Sequence, residues 1–113
     1  MIDHHFLSRP VTEFESIRVS MQFLFARNAP PPDSVNIARI LSGGRIGRHD
    51  GRGWQVFAVL DGLVEVTAGV GDTRILNPGE AVQWEPGESH LSIAFVDSLV
   101  AIIESDQRID EGT

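Results

Sequence analysis

The run GRIGRHDGRGWQVFAVLDG spans residues 44–62. It sets one histidine, His49, among arginines and glycines, then passes into an apolar stretch that ends in Asp-Gly. From Trp54 onward the side chains alternate. Gln55, Phe57 and Val59 fall on one side of an extended chain, and Trp54, Val56, Ala58 and Leu60 on the other. Both sides are largely apolar, which predicts a strand packed on two faces. A second apolar run, 63–67, follows Asp61-Gly62, and a two-residue Asp-Gly link predicts a type I′ hairpin. His49 is open to three readings: a metal ligand, the wall of a cavity, or a surface residue ahead of a hairpin.

The same alternation of short extended runs and turns continues on both sides. Residues 17–25 place Ile17, Val19, Met21, Phe23 and Phe25 on one face, the pattern of a half-buried strand. Asn28–Asp33 contains three consecutive prolines and predicts a loop, because proline removes backbone donors and fixes φ. Further strands are predicted over 35–41, 73–76, 80–84, 90–96 and 99–104, with turns at 42–44, 68–72, 77–79 and 85–87. Helical periodicity is absent, and no connection is long enough for a parallel crossover. The prediction is an all-β, antiparallel sandwich or barrel.

Composition narrows the function classes. A length of 113 residues predicts one domain. Cysteine is absent, which excludes disulfides, thiolate metal sites and a cysteine nucleophile. The formal net charge is −7, and all nine basic residues are arginine. An acidic chain without a basic stripe predicts no nucleic-acid partner. Arg39, Arg45, Arg48 and Arg52 bracket His49 and read either as a solvated rim or as an attraction for an anionic small molecule. No apolar run approaches the ~18 residues of a membrane span. The N-terminus lacks the apolar core of a signal peptide, so the expected address is cytoplasmic.

With these residues in place, the chain resembles the cupin superfamily, small double-stranded β-helix or jelly-roll barrels. The first cupin motif, G-x5-H-x-H-x3-E-x6-G, starts at Gly43 and meets His49, Gly51, Gln55 and Gly62. The second, G-x5-P-x-G-x2-H-x3-N, starts at Gly79 and meets Glu85, Gly87, His90 and Ala94. The resemblance covers roughly residues 35–104 and resembles the compact bacterial members. It implies one domain: an N-terminal arm over 1–34, a barrel core over 35–104 and a polar tail over 105–113. It also implies a homodimer, since small cupins often pair by exchanging N-terminal strands.

Metal-binding cupins offer three histidines and a glutamate to one divalent ion. Here only His49 and His90 retain histidine, Gly51 has no side chain, and Gln55 is neutral. Two imidazoles and an amide give such an ion no charge compensation. The family register turns His49, Gln55, Phe57, His90 and Ser92 inward, a mixed set suited to a small-molecule site. The expected function is therefore binding of a small organic molecule, with the arginines at the rim favouring an anionic group. The alternative is a metal-dependent dioxygenase or isomerase, with zinc, iron, manganese or nickel on His49, Gln55 and His90. Trp54 and Trp84 are expected to face outward, against a neighbouring element. Glu88, two residues before His90, reads as a solvated carboxylate or a general base.

Overall fold

The computed structural model describes residues 1–28 and 33–112, so most of the predicted 28–33 loop falls outside the described residues. The strands are β1 (Ser8–Pro10), β2 (Ile17–Arg27), β3 (Asp33–Asp50), β4 (Trp54–Asp61), β5 (Val64–Ala68), β6 (Asp72–Leu76), β7 (Ala81–Trp84), β8 (Ser89–Ala94) and β9 (Ser98–Ser105). A 3-10 turn, Glu13–Glu15, separates β1 from β2. Among the described residues, no helix is long and apolar enough to cross a membrane.

Strand β3 is the spine. Its first half, Ser34–Ile40, lies between β2 and β9, and its second half, Arg45–Asp50, runs beside β8. The pairing order is β6-β5-β8-β3-β9-β4-β7, with β2 also on β3 and β1 on β2. One layer is thus β6, β5, β8 and the end of β3. The other is β2, the start of β3, β9, β4 and β7. Every pairing is antiparallel, giving the expected all-β double-stranded β-helix.

Two local expectations are corrected. The predicted 42–44 turn is part of β3. Ile40 pairs with Val19 and Arg45 with Ile17, so residues 41–44 stand opposite Arg18 alone. Gly43 takes φ +78 and lets the strand bulge from one layer into the other without ending. The predicted Asp61-Gly62 hairpin is instead a corner between layers. Strand β4 pairs with β7 and β9, whereas β5 pairs with β6 and β8. Asp-Gly marks a chain reversal but does not say which strand comes to lie alongside. Gly62 has φ +101, and a Cβ there would run into Ser98, so the corner demands glycine. The true hairpin joins β5 to β6, where Ala68 pairs with Asp72.

The core lies between the layers. Ile40, Phe57, Val59, Val64 and Val100 are its most deeply buried large side chains. Each contributes roughly 1.5–3 kcal/mol by leaving water. Strand β4 shows the predicted alternation: Gln55, Phe57 and Val59 are buried, while Trp54, Val56 and Ala58 are half-covered on the outer face.

Candidate functional site

His49 and His90 meet because β3 and β8 set them directly opposite one another. A bulge makes this possible. Ile46 pairs with Ser92 and His49 with His90, so β3 spends one residue more than β8 between the two pairs. In a regular strand, side chains three residues apart point to opposite faces. The bulge at Gly47–Arg48 reverses the parity and turns both Ile46 and His49 inward. The imidazole centroids end 4.4 Å apart, with the rings inclined at 67°.

Backbone carbonyls hold both rings. His49 Nδ1 lies 2.9 Å from the Gly47 carbonyl oxygen, and His90 Nδ1 lies 3.0 Å from that of Glu88. A carbonyl only accepts, so each Nδ1 carries the proton, and Nε2 of a neutral ring presents a lone pair. Glu88 therefore serves His90 through its main chain. Its carboxylate Oε1 accepts the Glu85 backbone N–H.

His90 is only 3% exposed, and its Nε2 is buried with no hydrogen-bond partner. Such an orphaned acceptor costs about 1–3 kcal/mol unless something donates to it. Burial, chiefly, and then the facing His49 push the His90 imidazole down to about 4, against the opposing pull of the Glu88 carbonyl and Asp50. It is therefore neutral at pH 7. Trp84 fixes its plane, stacked at 4.1 Å and 5°.

The two histidines border a cavity of about 340 Å³, at the lower end of small-molecule sites. All five predicted residues line it: His49, Gln55, Phe57, His90 and Ser92. Gln55 and Ser92 are buried. Ile46, Ile102 and Trp84 add apolar wall, and Asn36 and Glu104 add polar groups. The exposed lining residues Arg9, Glu13, Phe14 and Phe23 mark the mouth.

Trp84 corrects the outward expectation. It pairs with Gln55 across β4 and β7, shares its inward face, and is 3% exposed. Which face of β7 points inward depends on that register, and the short run 80–84 does not reveal it. Trp54 is half-buried on the opposite face of β4, as expected. The four arginines around His49 are absent from the cavity lining. Arg45 Nε donates to the Glu15 carbonyl at 3.2 Å, and Arg48 Nη1 to the Gly69 carbonyl at 2.8 Å. Arg9 is the cation on the lining, its guanidinium 4.3 Å above the Phe23 ring. Phe14, also unforeseen, stacks on His49 at 4.3 Å and 11°.

A resident divalent ion does not fit this donor set. Gly51 stands where the family places a second histidine. A Cβ there would lie 3.4 Å from His90 Cε1 and 3.9 Å from Gln55 Oε1, so the position does face the site. Having no side chain, it offers no ligand. No group of three or more His, Asp or Glu side chains suited to a metal occurs among the described residues. Two neutral imidazoles and an amide leave a dication uncompensated.

No protein-family model matches the sequence, and no curated protein matches it. Solved structures do. The chain is similar to the polyketide cyclase RemF from Streptomyces resistomycificus, at 18% identity and TM-score 0.76, covering 96% of this chain and 81% of that one. It is similar to KdgF from Halomonas sp., at 22% identity and TM-score 0.72, covering 93% and 88%. A cupin superfamily protein from Desulfitobacterium hafniense matches at 13% identity and TM-score 0.71, over 85% of this chain and 89% of that one. The fold is that of the cupins. At these identities the likeness extends to the fold, not to an activity.

Proposed function

We propose that this cupin barrel binds a small organic molecule in the cavity between its layers, oriented by His49, Gln55, His90 and Ser92. One observation carries the reading: His90, whose buried Nε2 has no partner, lines a cavity walled by Phe57 and Trp84. A neutral imidazole held by its Nδ1–H is a fixed acceptor, so the ligand presents an O–H or N–H to it. Gln55 can both donate and accept, and Ser92 adds a hydroxyl. Glu13 and Glu104 are the acidic residues on the lining and Arg9 its cation, so any anionic group on the ligand lies against Arg9. The metal-dependent alternative has less support, because the donor set lacks an anion. Exposed Leu7, Ile17 and Phe25 favour a homodimer, which sedimentation would read.

The test is to incubate untagged protein with a metabolite extract, re-purify it, and identify retained compounds by mass spectrometry. Metals are quantified in the same sample. The reading expects one retained organic compound, lost in His90→Leu while the variant keeps its β-sheet circular dichroism. Retention unchanged by His90→Leu contradicts it, as does a stoichiometric metal with no organic compound.

A further inference from the structure

The segment that carries Phe14 is built under strain. Phe14, Glu15 and Arg18 have φ of 59, 58 and 57, a left-handed conformation that side chains other than glycine rarely adopt. Three such residues within five positions, beside a cavity mouth, persist only where the surroundings enforce them. Here they do. Ser16 N bonds back to the Glu13 carbonyl at 3.0 Å, and Ser16 Oγ accepts the Gly47 backbone N–H at 3.0 Å. Arg45 and Arg18 reach the Glu15 and Ser42 carbonyls at 3.2 and 3.1 Å. The Phe14 carbonyl lies so close to Gly47 that any Cβ at 47 would overlap it.

All of this seats one ring. Phe14 lies parallel to His49 at 4.3 Å, too close for anything to pass between them, yet it remains 55% exposed. A half-exposed phenylalanine stacked on a polar ring by a strained backbone is a poorly rewarded arrangement for folding alone.

We propose that Phe14 is a built-in placeholder, and that the cavity takes a ligand with a planar, conjugated ring that displaces Phe14 from the face of His49. This rests on the small-molecule reading and names the ligand class. Only a flat partner recovers the parallel stack that Phe14 gives up, because a puckered ring holds its atoms out of plane and loses the face contact. Lifting the segment lets the backbone at residues 14–18 relax, which offsets part of the displacement. Phe14 is then a specificity-determining residue: it competes with every ligand and yields most readily to flat ones.

The probes are benzyl alcohol and cyclohexylmethanol, which share a primary hydroxyl and differ in ring planarity. Binding is read by titration calorimetry and by the His49 ring signals in NMR. Wild type is expected to bind benzyl alcohol at least about 5-fold more tightly than cyclohexylmethanol. Phe14→Ala, losing the competitor, should bind benzyl alcohol about 5-fold more tightly again. Gly47→Ala, which unseats the segment but keeps the ring, should shift affinity the same way, so the inference stays testable if either variant fails to fold. Equal affinity for the two alcohols overturns the planar class and leaves the cavity reading standing. Weaker benzyl alcohol binding by Phe14→Ala makes Phe14 a wall rather than a placeholder and also overturns the proposal. Binding of neither alcohol to any of the proteins defeats the cavity reading itself.

Discussion

Acidification tests the buried acceptor at His90 through stability. The imidazole falls from 6.5 to about 4 on folding. Between those values the unfolded chain carries the proton and the folded chain does not, so unfolding takes up protons. The His90 contribution is therefore complete above pH 6.5 and is lost as pH falls toward 4. At about 1.4 kcal/mol per pH unit, the lowering amounts to roughly 3 kcal/mol over the whole window. That is a large share of the ~5–15 kcal/mol that stabilises a typical domain. Carboxylates also titrate near the lower end, so the informative quantity is a difference between proteins. Urea unfolding of wild type and His90→Asn, followed by circular dichroism at pH 7.5, 6.5, 5.5 and 4.5, gives ΔG at each pH. The asparagine variant loses the Trp84 stack and starts lower, but that offset does not depend on pH. Wild type should lose about 2–3 kcal/mol more than the variant between pH 6.5 and 4.5. Parallel curves would refute the reasoning, because they would mean that His90 is as free to protonate in the folded barrel as in the unfolded chain.

Other predictions follow from the same geometry. Gly51→His combined with Gln55→Glu completes the family's ligand set around His49 and His90, and calorimetry should show zinc bound at least about 100-fold more tightly than by wild type. No gain would mean that the four positions do not converge. Gly62→Ala forces a Cβ into Ser98 at φ +101 and should cost more than about 2 kcal/mol in urea unfolding. Phe57→Ala empties the wall beside Trp84 and should cost about 3–5 kcal/mol by the same measurement. A loss below 1 kcal/mol in either variant would contradict the packing described.

Much of the fold was legible because alternation is a local signal. The alternation of Gln55, Phe57 and Val59 survives folding intact, and the glycines at 43, 62, 79 and 87 all take positive φ. The candidate site was legible where the family spacing and its register reached, through His49, Gln55, Phe57, His90 and Ser92. What escaped depends on non-local register. Trp84 faces inward because β7 pairs with β4 in a frame that puts it opposite Gln55. Asp61-Gly62 turns a corner because the strand after it joins β8, thirty residues downstream. Phe14 had no signal at all: its position arises from a strained backbone seated on Gly47, and left-handed conformations at non-glycine residues leave no trace in composition or spacing.

The central claim is that His49 and His90 face a shared cavity, with His90 as a fixed acceptor, and that an organic molecule occupies it. A high-resolution crystal structure of untagged protein tests this most directly. The account predicts imidazole centroids about 4.4 Å apart, both Nδ1 atoms on main-chain carbonyls, and organic density within hydrogen-bond distance of His90 Nε2. Rings turned apart into solvent or into separate layers, or side chains filling the space between them, would contradict it.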